Sequence, residues 1–352
     1  MVNDLEKNDN NNIYIYIIMS KLVKECGAST LIIWIPGFNN TWFHQHILNN
    51  AWFKDCDIYL MHFGDYTPYT TKDNNIPEGS LKVDIPYATE DFFCHYEEIN
   101  QLLEPHMLNQ QYTKYVMYGH STGGLIASMY LIYGKYRKFF SCGILNDPFF
   151  DYNNSLLIES IFKYIHLLPI SHRFHNLLLC FNKYAPITIP WNSYTMKKIT
   201  DDGYNVNKWV KTLPLIPVGF ITACNKHHNT LIKEETPLVN IPCLVMIADG
   251  DQTLLNTKET LAITQKSIKN YEIFKCKSCY HDACFPSNKT LLPIFGNKIN
   301  NFITKHSTQL PNINNSITPI YKFKLYHNKP NIFLNIIFIF IICRLYLDKI
   351  TS

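Results

Sequence analysis

Ser121 stands in Gly119-His120-Ser121-Thr122-Gly123-Gly124, a tight, small-residue turn with a serine at its tip. A serine hydroxyl at its ordinary pKa is a poor nucleophile, so the turn becomes chemistry only if a histidine can take its proton and a carboxylate can orient that histidine. Among 14 histidines, His281 in Cys279-Tyr280-His281-Asp282-Ala283-Cys284 is the best placed, in a loop after the last predicted strand. His306 and His327 lie further on, near an apolar tail. His120 lies inside the turn, where its direction is wrong for a base. The carboxylate is expected just past the strand 241–247, where Ala248-Asp249-Gly250-Asp251-Gln252 offers Asp251 first and Asp249 second. Asp147 or Asp151, in Asn146-Asp147-Pro148-Phe149-Phe150-Asp151, is a third choice. Two backbone N–H groups must face the oxyanion that forms on attack. Thr122, directly after the serine, supplies one, and Phe38 in Pro36-Gly37-Phe38-Asn39-Asn40 the other. The chemistry this constellation can do is acyl transfer through an ester on Ser121, with no metal and no cofactor.

Those residues must be held by a scaffold, and the apolar patterning describes one. Residues 31–35, 58–61, 115–118 and 241–247 are short, nearly continuous apolar runs, with 142–145 a shorter candidate. Runs of this kind bounded by turn signals read as strands buried on both faces, as in a parallel sheet. Helix-like segments at 87–108 and 124–133 lie between them. Strands alternating with helices predict an α/β fold with a mostly parallel central sheet flanked by helices. Tyr115-Val116-Met117-Tyr118 therefore leads as a strand into the Ser121 turn, and Leu125-Ile126-Ala127 leaves it as a helix. That is the strand–turn–helix setting a nucleophilic serine needs. The alternation breaks over 151–238, where 155–162 and 175–181 carry helical spacing. This stretch reads as a helical cap inserted between core segments 21–150 and 239–305.

The ends are different. Residues 1–20 are polar and Asn-rich apart from 13–19, and read as a disordered extension, with Met19 an alternative start. Residues 306–352 form a C-terminal extension whose apolar part, 332–347, is interrupted by Asn335 and Arg344. At roughly the minimum of 17–25 residues for a spanning helix, it is either a membrane anchor or a packed terminal helix. Eleven cysteines without a secretory signal suggest reduced thiols in a cytoplasmic compartment. A net charge of +4 with scattered lysines does not indicate a nucleic-acid surface, and 47% apolar against 17% charged residues suits a large core.

Two other readings compete. Cys276, Cys279, His281 and Cys284 could bind zinc tetrahedrally, but four ligands in one short segment have little room to wrap an ion. A histidine holding zinc could not also serve Ser121. A non-catalytic chain could keep the fold alone, although serine, acid and histidine in the right order argue against decay.

Taken together, Ile35-Pro36-Gly37-Phe38-Asn39-Asn40-Thr41-Trp42-Phe43, Gly119-His120-Ser121-Thr122-Gly123-Gly124-Leu125, Leu145-Asn146-Asp147-Pro148-Phe149-Phe150-Asp151 and His281-Asp282 resemble a group of α/β hydrolases described as lysophospholipase-, monoglyceride-lipase- or serine-aminopeptidase-like. The segment from Lys208-Trp209-Val210-Lys211 to Pro217-Val218-Gly219-Phe220 is similar to the end of their cap, and the likeness runs over about 28–303. Two departures stand out. Pro36 replaces the family's usual histidine before the oxyanion glycine, and His62-Phe63-Gly64-Asp65-Tyr66 replaces an Arg-Gly-x-Ser-like turn. The resemblance implies metal-free hydrolysis of carboxylic esters, as an esterase or lipase acting on an acyl ester such as a monoacylglycerol or lysophospholipid. Peptidase and thioesterase activity are the alternatives on the same fold.

Overall fold

The computed structural model describes residues 21–38, 45–61, 63, 91–151, 186–187, 193–204, 216–233, 236, 238–248, 255 and 257–306. Among these residues the strands are β1 (Lys21–Lys24), β2 (Thr30–Ile35), β3 (Asp57–Leu60), β4 (Lys114–His120), β5 (Phe140–Asn146), β6 (Pro186–Ile187), β7 (Ile216–Pro217), β8 (Cys243–Ala248) and β9 (Tyr271–Cys276). The helices are α1 (Gln45–Leu48), α2 (Phe93–Leu108), α3 (Thr122–Tyr133), α4 (Ser193–Asp201), α5 (Val218–Ile232), α6 (Thr257–Ser267) and α7 (Leu292–Lys305).

Seven strands make one sheet in the order β1-β3-β2-β4-β5-β8-β9, with only the β1–β3 pair antiparallel. The continuous apolar runs explain why the central strands occupy its middle. Side chains alternate across a strand, so a run such as Leu31-Ile32-Ile33-Trp34-Ile35 is stable only where both faces are covered. Leu31, Ile33 and Ile35 pack with α2, α3 and α5, while Ile32 and Trp34 pack on the opposite face with α7, Trp52 and Phe53. The expected α/β fold is therefore present: the runs at 31–35, 115–118 and 142–145 lie within β2, β4 and β5, and those at 58–61 and 241–247 overlap β3 and β8, with Met61, Ile241 and Pro242 outside the strands.

The differences have physical reasons. β9 carries no continuous apolar run because it is the sheet's edge, and only Cys276 of its six residues is buried. β1 is likewise a short edge strand. The helix expected over 87–108 begins at Phe93, after Asp91 accepts a hydrogen bond from the Phe93 N–H. Within 151–238 the described residues form α4, α5 and a two-residue antiparallel pair, β6 with β7. The segments 155–162 and 175–181 lie outside the described residues, as do 1–20 and 307–352. Among the described residues no helix is long and apolar enough to cross a membrane.

Helix α5 meets the core through a buried histidine. His227 is 1% exposed, bonds the Ala223 carbonyl through Nδ1 at 3.0 Å and holds Nε2 3.7 Å from Asp91 Oδ1. Burial pushes its pKa from 6.5 down to about 4, with Asp91 partly opposing the shift and Lys226 and His95 adding to it. The unfolded chain therefore takes this proton near pH 6.5 and the folded chain only near pH 4. Stability from His227 is complete above pH 6.5 and is lost as pH falls toward 4, by roughly 3 kcal/mol. Denaturant midpoints for wild type and His227→Phe should show a shallower decline between pH 7 and 4.5 in the variant.

Candidate active site

Strand β4 ends at His120 and α3 begins at Thr122, leaving Ser121 alone to make the reversal. It does so at φ +53°, ψ −122°, in the left-handed half of the map that costs a non-glycine residue about 1–3 kcal/mol. Hydrogen bonds over-determine the turn. The Ser121 carbonyl accepts the N–H groups of Gly124 at 2.8 Å and Phe149 at 2.9 Å, while its own N–H donates to the Asn146 carbonyl at 3.1 Å. The glycines are required by approach. A Cβ on Gly123 would lie 2.3 Å from the Ile35 carbonyl oxygen and 2.4 Å from that of Pro36, and one on Gly119 would lie 2.5 Å from the Gly123 oxygen. Gly123→Ala should therefore push β2 and α3 apart. We expect at least a tenfold loss of labelling rate at Ser121 and a lowered Tm, checked by a fluorophosphonate time course and thermal melting.

His281 Nε2 lies 2.8 Å from Ser121 Oγ, although the two residues are 160 positions apart. With the hydroxyl donating, a neutral His281 carries its proton on Nδ1, the atom an orienting carboxylate would face. His120 is elsewhere: its Nε2–H donates to the His281 carbonyl at 3.2 Å, so it holds the loop rather than the serine.

Of the acid candidates, Asp251 and Asp249 lie outside the described residues. Asp147 is 4% exposed at φ +44°. Its Oδ1 accepts the Ala248 N–H at 2.8 Å, tying the end of β5 to the end of β8. Asp151 is half-buried just beyond it. For the expected oxyanion donors, a Cβ on Gly37 would come 3.0 Å from Ser121 Cβ, which places the 36–38 turn against Ser121. The Phe38 ring packs 5.0 Å from that of Phe220 on α5. Thr122 is the first residue of α3, where helix N–H groups lack intrahelical partners.

A buried polar bracket that the residue pattern alone did not reveal seats the His281 loop. Asn146 Nδ2 donates to Asp282 Oδ1 at 2.6 Å and to the Tyr118 hydroxyl at 2.7 Å, and Asn146 Oδ1 accepts the Ala283 N–H at 3.1 Å. Asp282 Oδ1 also accepts the Cys284 N–H at 2.7 Å, and its Oδ2 lies 3.8 Å from His120 Nε2. The adjacency of Asn146 to Asp147-Pro148, and of Asp282 to His281, was the available signal. Burial holds the Tyr118 hydroxyl and, with Asp282, the Cys284 thiol protonated, since both pKa values are pushed well above their ordinary range. Among the described residues no group of His, Cys, Asp and Glu is arranged to hold a metal ion. In place of a cluster with the cysteines, His281 offers Nε2 to Ser121, while Cys279 Sγ donates to the Lys277 carbonyl and Cys284 Sγ lies 3.8 Å from the Tyr118 hydroxyl.

A strained serine between a parallel strand and a helix, with a distant histidine on its hydroxyl, places this chain in the α/β-hydrolase superfamily. The family model described as "Serine aminopeptidase, S33" matches residues 86–287, more than half of the sequence, and the chain belongs to that hydrolase family. No curated protein matches it in sequence. Solved structures similar in fold include a soluble variant of the monoglyceride lipase of Saccharomyces cerevisiae in complex with a substrate analog, at 15% identity and TM-score 0.54, covering 83% of this chain and 91% of that one. The monoacylglycerol lipase of Paleococcus ferrophilus has 12% identity and TM-score 0.52, over 79% and 95% of the two chains. A structure from the work on LipS and LipT, two metagenome-derived lipolytic enzymes, has 14% identity and TM-score 0.51, over 82% and 97%.

Proposed function

We propose that this chain is a serine hydrolase that cleaves carboxylic esters of monoacyl lipids, such as monoacylglycerols or lysophospholipids, through an acyl-enzyme on Ser121. The observation that carries the reading is the 2.8 Å contact between Ser121 Oγ and His281 Nε2 at a strained strand-to-helix turn. Ser121 attacks the acyl carbonyl as His281 Nε2 takes the hydroxyl proton. The Phe38 and Thr122 N–H groups hold the oxyanion, and Asp251 orients His281 through Nδ1. Collapse expels the alcohol, protonated by His281. Water deprotonated by the same nitrogen then releases the fatty acid.

The ester preference draws on the lipase neighbours. The description of the matching family keeps amide cleavage of short peptides as a second reading. A fluorophosphonate label on Ser121, followed by a panel of acyl esters of graded chain length beside short peptide amides, tests both. Ester turnover rising with acyl length supports the proposal, and turnover of the amides alone reverses it. A correctly folded wild-type protein that takes no label would leave a binding protein with this fold. We propose that residues 151–238 cap the site, and that 332–347 is either a membrane anchor or a packed terminal helix. Fractionation of the full chain beside a chain ending at Ser316 checks the second point.

A further inference from the structure

The loop that carries His281 is gripped by three consecutive residues that follow α4. Tyr280, immediately before His281, donates its hydroxyl to Asp202 Oδ2 at 2.7 Å. Tyr204 donates its hydroxyl to the Pro286 carbonyl at 2.7 Å, and Lys289 Nζ donates to the Gly203 carbonyl at 2.9 Å. The loop is thus fastened at 280, 286 and 289, on both sides of the histidine. Gly203 makes the reversal possible with φ +77°, a conformation natural to glycine.

The grip is itself anchored. Ile199 and Tyr204 are buried in the same cluster as Cys279, Ala283, Cys284 and Phe285 of the loop. The Tyr204 ring sits 5.1 Å from the rings of both Phe285 and His46, and His46 Nε2–H donates to the Cys284 carbonyl at 2.6 Å. Asn146 and Asp282 hold the loop to the sheet, but these contacts come from a segment that interrupts the strand–helix order. His281 stands in the chain between the two attachments, Tyr280 on Asp202 and Asp282 on Asn146.

We propose that Asp202, Gly203 and Tyr204 form a clip that positions His281 on Ser121, with Asp202 and Tyr280 its positioning pair, so that base alignment depends on how residues 193–204 are seated. The proposal rests on the reading of His281 as the base. A misplacement of about 1 Å in a reacting group can cost about a hundredfold in rate, and loss of one of several fastenings should cost a fraction of that.

The test uses the full chain, p-nitrophenyl butyrate and fluorophosphonate titration of active sites. In Tyr280→Phe and Asp202→Ala, kcat per titrated site should fall about 5- to 30-fold with KM within about twofold. The double variant should be no worse than either single, because both remove one contact. Asp202→Asn should keep most activity, since its amide oxygen still accepts the Tyr280 proton. A purely structural role would lower the number of titratable sites while leaving turnover per site normal, and that result overturns the clip. Wild-type turnover per site in Tyr280→Phe overturns it equally. Absence of Ser121-dependent labelling in the wild type would remove the serine-hydrolase reading and the clip with it, whereas labelling with unaltered variants removes the clip alone.

Discussion

Replacing Ser121 by alanine should lower ester turnover by a factor on the order of 10⁴ to 10⁶ and abolish fluorophosphonate labelling. At about 1.4 kcal/mol per tenfold, this is roughly 5–8 kcal/mol of transition-state stabilisation. Substrate binding should change little, because the hydroxyl contributes to the reaction and not to the pocket. His281→Ala should cost a similar factor, and the double variant should be no slower than either single one, since the hydroxyl and the imidazole act as one unit. Ser121→Ala should fold with a stability close to that of the wild type: alanine bears the same backbone strain at positive φ, and only one hydrogen bond, to His281, is lost. A melting curve alongside steady-state kinetics checks both halves. Comparable turnover in Ser121→Ala, with the protein freed of contaminating esterase, would refute the nucleophile.

Asp251→Asn should cost roughly 10³- to 10⁴-fold in kcat, whereas Asp249→Asn should stay within about tenfold of wild type. The reasoning follows from the tautomer. Ser121 Oγ occupies His281 Nε2, so the proton must stay on Nδ1 for the base to be competent, and a carboxylate holds it there while stabilising the imidazolium. An asparagine amide of the same size can donate to Nδ1, and that reverses the tautomer. A larger loss in Asp249→Asn would transfer the role to that residue. If neither loss exceeds about tenfold, Asp147 becomes the candidate. Its replacement must then be judged against the Ala248 N–H it also accepts. Side-by-side kcat and KM values for the two asparagine variants decide among these outcomes.

The parts of the fold visible in the sequence are those where burial acts on consecutive residues. β2, β4, β5 and β8 have cover on both faces, and their unbroken apolar runs record it. β9 is an edge strand with mixed exposure, so its composition resembles a loop and no run marks it. The Ser121 turn was legible because its glycines answer to local sterics, and His281 because few histidines follow the last core strand. Asn146, Asp282 and Tyr118 were not, since their meaning lies in contacts between distant residues, 28 positions apart for Asn146 with Tyr118 and 136 for Asn146 with Asp282. The Asp202–Tyr280 contact is of the same kind: a common acid and a common phenol, joined only by topology.

The close approach at Gly123 also ties the Ser121 turn to parts of the protein far from it in sequence. The carbonyls of Ile35 and Pro36 that press on Gly123 arrive only when β2 pairs with β4, in the register that sets Ile35 opposite Gly119. The unusual backbone of Ser121 is therefore held by the middle of the sheet as well as by its own strand and helix. His281 comes from the other half, following β8 and β9, which extend the sheet beyond β5. Covalent capture by a fluorophosphonate during refolding would then act as a clock for the joining of the two halves, with labelling appearing only when residues encoded at both ends of the catalytic region have come together.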